Sequence, residues 1–256
     1  MLNQIEISSE ERLDTVNDQI KLIQRKKGLT FGTDALLLAS YINEKESPAA
    51  EFGTGTGIIS LLLLSRNKAD KIYAYEVQEE FADLAERNAR INGLDRRLII
   101  HAKDVRDSSS EDTDGEVEYV FSNPPYMKSG AGLTNAASEK NIARREVFGT
   151  IDDFSKSAKK LLKYQGSFYL VYRPDRLGTL ISSLKTHSLE PKRVTFVHPD
   201  IDSPPSLLLI EARLGAGEEL KITKPLILYK NKEHTEYTED MSYIYEVGSF
   251  PEEYYK

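Results

Sequence analysis

Pro48-Ala49-Ala50-Glu51-Phe52-Gly53-Thr54-Gly55-Thr56-Gly57-Ile58-Ile59-Ser60-Leu61-Leu62-Leu63-Leu64 decides the fold. A short apolar entry runs into three glycines in five positions, and a wholly apolar stretch follows. That order reads as strand, tight turn and buried helix, the nucleotide-binding unit of a doubly wound α/β domain. The glycines reach positive φ without a Cβ clash and let backbone approach a ligand closely. Downstream, Lys71 to Glu76 alternates as a strand, and Glu79 to about Asn92 has helical spacing with Asn92-Gly93 as its stop. Leu98 to His101 is a third strand and Val117 to Ser122 a fourth. Ile151 to Lys163 is a helix with Gln165-Gly166 as its stop, Ser167 to Tyr172 a strand, and Pro174 to Thr186 a helix opened by proline. Lys192 to His198 and Ser206 to Arg213 have no helix between them, so they should run antiparallel. Upstream, Thr33 to about Glu44 is a helix, and Thr15 to Gln24 a hairpin lying across the site. The chain is therefore α/β, with a seven-stranded, mostly parallel sheet, one antiparallel strand and helices on both faces.

The turn is G-x-G-x-G, not the dinucleotide G-x-G-x-x-G, and Glu51 stands two positions before its first glycine. A pyrophosphate would be repelled there. A ligand with a cationic amino-acid end would be welcomed, and S-adenosyl-L-methionine is such a ligand. Glu76 lies roughly twenty residues beyond the turn, where α/β nucleotide binders place an acid on the ribose hydroxyls. Asp104 follows the third strand, and an acid there can accept from an exocyclic adenine amine. Acids at strand ends are often merely solvated; the series of turn, Glu76 and Asp104 carries the reading. It assigns Glu51, Gly53, Thr54, Gly55, Gly57, Glu76 and Asp104 to the cofactor.

Asn123-Pro124-Pro125-Tyr126 directly follows the fourth strand. Two prolines cannot continue a sheet or enter a helix interior, so the chain leaves in a rigid, extended corner. The corner offers an amide side chain, backbone carbonyls and an aromatic ring. That set suits a planar group bearing an NH2. The Asn123 side-chain oxygen and the Pro124 carbonyl are positioned to accept its two hydrogens, and Tyr126 to stack on it. Asn123, Pro124, Pro125 and Tyr126 are thus the candidate catalytic residues, and Asn123 is assigned to the cofactor as well.

With these motifs the chain resembles the Rossmann-like class I S-adenosylmethionine-dependent methyltransferases, and among them the bacterial tRNA1(Val) (adenine-37 N6)-methyltransferases. The resemblance extends through Glu11-Arg12-Leu13-Asp14, Gln24, the run Phe31-Gly32-Thr33-Asp34-Ala35-Leu36-Leu37-Leu38-Ala39, Ala143-Arg144-Arg145-Glu146, Tyr172-Arg173-Pro174-Asp175-Arg176-Leu177 and Pro225-Leu226-Ile227-Leu228-Tyr229. It implies N6-methylation of an adenine beside the tRNA anticodon, and it places Phe31 and Thr33 near the cofactor. A glutamine amide poses the same planar NH2 problem, so a protein glutamine N5-methyltransferase is the alternative. Other RNA or DNA amino-methyltransferases share the corner, and a catalytically dead binding module is the non-enzymatic reading.

The 256 residues suffice for a sizeable core. Absence of cysteine excludes disulfides and thiolate metal sites, and four scattered histidines make no metal spacing. With no signal pattern and no long apolar run, the expectation is a cytoplasmic monomer without membrane or metal. Net charge is −7, yet Asp107 to Glu118 holds six acids without a base, and Asn231 to Lys256 seven acids against two lysines. Without those two stretches the balance turns to +4. Lys26, Lys27, Arg144 and Arg173 are the candidate contacts to RNA phosphates, the anticodon loop being the expected partner, and Lys192-Arg193 is a further basic cluster. The lysines of 156 to 163 read as a solvated helix face. The expected organisation is an N-terminal hairpin extension (1–30), a methyltransferase domain (31–230) and an acidic, Tyr-rich tail (231–256). Asp107 to Gly115 reads as a polar mobile loop.

Overall fold

The computed structural model describes residues 7–27, 32–44, 46–124 and 149–256. Phe31, Pro125, Tyr126 and Arg144 lie outside the described residues.

A two-stranded hairpin opens the described chain, β1 (Glu11–Thr15) antiparallel to β2 (Lys21–Arg25). Helix α1 (Thr33–Tyr41) follows, shorter at its end than the sequence suggested. Next come β3 (Ala49–Phe52), α2 (Ile58–Ser65), β4 (Ile72–Glu76), α3 (Glu79–Ile91), β5 (Leu98–Ala102) and β6 (Val117–Ser122). After the undescribed stretch come α4 (Ile151–Leu161), β7 (Leu162–Tyr172), α5 (Leu177–Thr186), β8 (Leu189–His198) and β9 (Leu207–Leu214). The short β10 (Lys221–Ile222) and β11 (Leu226–Ile227) and helix α6 (Glu239–Val247) complete it.

The main sheet runs β10-β8-β9-β7-β6-β3-β4-β5, with β11 also on β8. The seven expected strands are all present, and β9 is antiparallel to both neighbours, as its missing crossover helix required. The sheet nonetheless counts nine strands, because two pieces of two residues each pair parallel with β8. They are too short to carry a periodic signal of their own.

Strand pleating sends successive side chains to opposite faces. Ile72 and Ala74 join one core cluster with α1, α2 and Met241, whereas Tyr73 and Tyr75 join the other with α4 and α5. Helix α2 is buried from Ile58 through Leu64, as its dominantly apolar sequence demands. Residues 231–256, read as an acidic tail, include α6, whose Met241 and Ile244 are buried. Phe250 and Tyr254 fill the same core, Phe250 packing edge-on against Tyr41 at 5.3 Å.

Three expectations are corrected. Gln165-Gly166 does not stop a helix: α4 ends at Leu161 and the chain enters β7 at once. Gln165 takes φ 67°, and a Cβ on Gly166 would sit 2.8 Å from the Glu118 carbonyl, so the pair is a strand irregularity that needs a bare backbone. The 107–115 loop is tied down rather than free. Asp112 accepts from Lys103 at 2.8 Å and from the Ser109 N–H at 2.9 Å, while Lys71 and Tyr73 both donate to Asp114. Arg193 cannot serve a basic surface, because it is buried between the Tyr41 and Tyr255 rings and paired with Glu211.

Candidate active site

β3 is the switch point of the sheet: β4 and β5 extend to one side, β6 and β7 to the other. In open α/β sheets, ligands bind beyond the carboxyl ends of the strands at that point. Register puts the sequence motifs there together. Phe52 is level with Tyr75 on one neighbour and with Ser122 on the other. One residue further, Gly53 therefore stands between Glu76 and Asn123, with neighbouring strands about 4.8 Å apart. The Ser122 hydroxyl donates to the Phe52 carbonyl at 2.7 Å and locks the two strand ends.

The glycine turn has the conformation the sequence asked for. Gly53, Gly55 and Gly57 take φ of 70°, 55° and 82°. A Cβ on Gly53 or Gly55 would meet nothing within 4 Å, so the backbone there faces open space. Gly57 differs: a Cβ there would touch Ala85 of α3 at 3.4 Å, so its backbone lies against that helix. Glu76 anchors the turn, one carboxylate oxygen accepting from the Gly55 N–H at 2.9 Å and the other from the Gln78 N–H at 3.0 Å.

Glu51 is buried at the end of β3. One of its oxygens accepts from Thr54 Oγ1 at 2.5 Å and from the Ser60 hydroxyl; the other, Oε1, has no hydrogen-bond partner among the described residues. Burial pushes its carboxyl up to about 7, against the pull of Ser60 and Thr54 and with the push of Glu76. An orphaned buried carboxylate oxygen beside bare glycine backbone fits a ligand with a cationic amino-acid end. On this observation the residues present fit S-adenosylmethionine.

Asp104 lies beyond β5 at the same end of the sheet, but both its oxygens already face Arg106, whose backbone N–H donates at 2.8 Å and Nε at 2.9 Å. Burial pushes its pKa up, and those bonds and the Arg106 charge outweigh it to leave the carboxyl below its ordinary range. An acceptor role for Asp104 thus requires it to share or exchange Arg106. Thr33 opens α1. Pro124 is buried, and with Thr150, Phe154, Tyr172, Arg173 and Arg176 it lines a cavity of about 680 Å³. The glycine turn does not line that cavity. Arg173 follows β7 and forms a two-point pair with Asp175. Lys26 and Lys27 are exposed after the hairpin, Lys26 donating to the Ser9 carbonyl at 2.8 Å.

The structure adds two residues that the sequence reading left unassigned. Asp34 Oδ2 accepts from Asn123 Nδ2 at 2.9 Å, across 89 positions. Asn88, in the buried face of α3, accepts from the Ile23 N–H at 2.7 Å and donates to the Ile23 and Thr56 carbonyls at 3.0 and 2.9 Å. One amide thereby joins hairpin, helix and glycine turn. Its sequence signal was an asparagine at a core position. Asp34 gave no such signal, because an acid in a first helical turn is ordinary.

A family model for the methyltransferase small domain matches residues 25–180. The chain belongs to that family. The methyltransferase is 29% identical over 202 residues to a tRNA1(Val) (adenine(37)-N6)-methyltransferase of Porphyromonas gingivalis, covering 76% of this chain and 78% of that protein. The counterpart in a second strain is 30% identical over 192 residues, covering 72% and 74%. Among solved structures, a predicted O-methyltransferase of Agrobacterium tumefaciens superposes with a TM-score of 0.68 at 21% identity, covering 86% of this chain and 98% of that one, which shows the shared fold. The methyltransferase is therefore an enzyme with a Rossmann-like fold that uses S-adenosylmethionine. Among the described residues, no helix is long and apolar enough to cross a membrane and no cluster of His, Asp and Glu could hold a metal.

Proposed function

We propose that the chain, acting as a cytoplasmic monomer, methylates N6 of the adenine at position 37 of tRNA1(Val). The observation that carries the proposal is the register that sets Asn123 beside Gly53 at the switch point. The similarity to the Porphyromonas enzymes supports the choice of RNA.

Gly53, Thr54, Gly55, Gly57, Glu51 and Glu76 hold the cofactor, with Glu51 on its amine and Glu76 on its ribose; Thr33 approaches from the α1 side, Phe31 is assigned to the cofactor by the family resemblance alone, and Asp104 takes the adenine amine. When bound, S-adenosylmethionine supplies an electrophilic methyl carbon with a good leaving group. An adenine N6 lone pair is delocalised into the ring and is a poor nucleophile. The Asn123 side-chain oxygen and the Pro124 carbonyl accept the two N6 hydrogens and hold that nitrogen closer to tetrahedral. Positive charge developing there meets preplaced acceptor dipoles, and the methylated nitrogen becomes neutral by releasing one of its two protons to solvent. Tyr126, on the strength of sequence alone, stacks on the base, a contribution of about 1–3 kcal/mol, with Pro125 stiffening the corner. A loop base needs no extraction from a duplex, which favours an anticodon loop. Lys26, Lys27, Arg144 and Arg173 contact phosphates.

Asn123→Ala is expected to lower single-turnover methylation by about 10²–10³-fold while cofactor affinity, measured by calorimetry, stays within about twofold. Loss of cofactor binding in that variant would make the corner a structural element instead. Nucleoside mass spectrometry of tRNA from a deletion strain should show N6-methyladenosine missing from one valine tRNA. An unchanged tRNA profile would overturn the proposal.

A further inference from the structure

We infer that Asp34 is a positioning residue that fixes which end of the Asn123 amide faces the methyl acceptor. This rests on the catalytic assignment of Asn123 made above. A carboxylate can only accept, so the group turned toward Asp34 must be the NH2 end of Asn123. The 2.9 Å contact between Asn123 Nδ2 and Asp34 Oδ2 therefore sets the carbonyl end on the opposite side of the amide. With the amide reversed, NH2 would confront an NH2 substrate, two donors with no acceptor between them.

The Asp34 carboxylate is itself held. Its other oxygen accepts from the Ala35 N–H at 2.9 Å, inside the first turn of α1. The space it occupies depends on Gly32, because a Cβ on Gly32 would lie 2.6 Å from Asp34 Oδ1. Both Asp34 and Asn123 are half-buried, so water competes only in part for the contact. A helix start, through one carboxylate, thus orients an amide at the end of β6.

The test uses the full-length protein, S-adenosylmethionine and an unmodified tRNA1(Val) transcript, with two readouts. In the first, kcat is compared with cofactor Kd. Asp34→Ala should lower kcat by about tenfold to a hundredfold, as expected for a misplaced reacting group, and leave cofactor Kd within about twofold. Asp34→Asn, which keeps one acceptor oxygen, should recover most of the loss. A parallel fall in cofactor affinity and thermal stability in Asp34→Ala would assign Asp34 to helix capping and overturn the inference. In the second, the Asn123 side-chain NH2 signal is identified in 15N spectra by its absence in Asn123→Ala. In wild type one of its protons should be shifted downfield by the charged acceptor; in Asp34→Ala it should return upfield. An unmoved signal, or a kcat within twofold of wild type, overturns the inference. If the wild-type enzyme leaves the transcript unmethylated, the proposed substrate fails, while the NH2 signal still decides the role of Asp34.

Discussion

Glu51 shows what a single buried side chain commits the enzyme to. Its carboxyl is raised to about 7 from an ordinary 4.5, chiefly by burial. For an acid raised in the folded state, the unfolded chain binds fewer protons between the two values. Its stabilising contribution is whole below about 4.5 and is lost as pH rises through about 7. Cofactor binding should reverse this preference, because a cationic amine favours the ionised carboxylate. Affinity for S-adenosylmethionine is therefore expected to fall about tenfold per pH unit below about 7, and Glu51→Gln should flatten the profile. Calorimetry from pH 5.5 to 8 checks it; a flat wild-type profile would remove Glu51 from the amine. Glu51 and Glu76 were legible in the sequence as positions: Glu51 is the last residue but one of β3 and Glu76 the last of β4, each at a fixed distance from the glycine turn. Asp104 was legible as a residue but not as a pair, since its bond to Arg106 depends on the 3-10 turn at Val105–Asp107.

At the scale of elements, the N-terminal hairpin is docked through Asn88. That side chain answers three backbone groups, two on β2 and one in the glycine turn. Asn88→Ala would leave them unpaired inside the structure, at a cost of about 2–4 kcal/mol in unfolding free energy. Urea denaturation should show that loss, and hydrogen exchange should show β1 and β2 losing protection before the main sheet. If exchange in the hairpin is unchanged, Asn88 is a local helix residue and the hairpin is held elsewhere, for instance by the two-point Arg87–Glu11 pair. The hairpin itself was readable from its residues, though its strands lie at 11–15 and 21–25. Its docking partner was not, because only packing brings Ile23 and Asn88 together across 65 positions. The seven long strands were readable from alternation and crossover helices, whereas β10 and β11 exist only because the β8 edge offers them partners.

For the whole molecule, net charge and charge placement give opposite answers. The chain carries −7, but much of the acid surplus lies in 107–118 and 231–256. Asp112 and Asp114 are paired with Lys103 and Lys71. Lys26 and Lys27 stand exposed after the hairpin. If they meet phosphates, tRNA affinity should fall by about tenfold between 50 and 200 mM salt, the response expected for roughly two phosphate contacts. Lys26→Glu with Lys27→Glu should weaken binding and shallow that slope, read by filter binding over a salt series. A slope unchanged by the double variant would move the RNA to another face. The parallel sheet, the glycine turn and the acids near the strand ends were settled by the sequence alone. Each of these is set by local rules: side-chain periodicity and left-handed φ at glycine. Tertiary structure alone decided that Asp34 faces Asn123, that Asn88 ties hairpin to turn, and that Arg193 is buried between two tyrosines rather than free for RNA. Those contacts join residues tens of positions apart, and no local preference encodes them; they follow from the register and packing that bury the most apolar surface while leaving few polar groups unpaired.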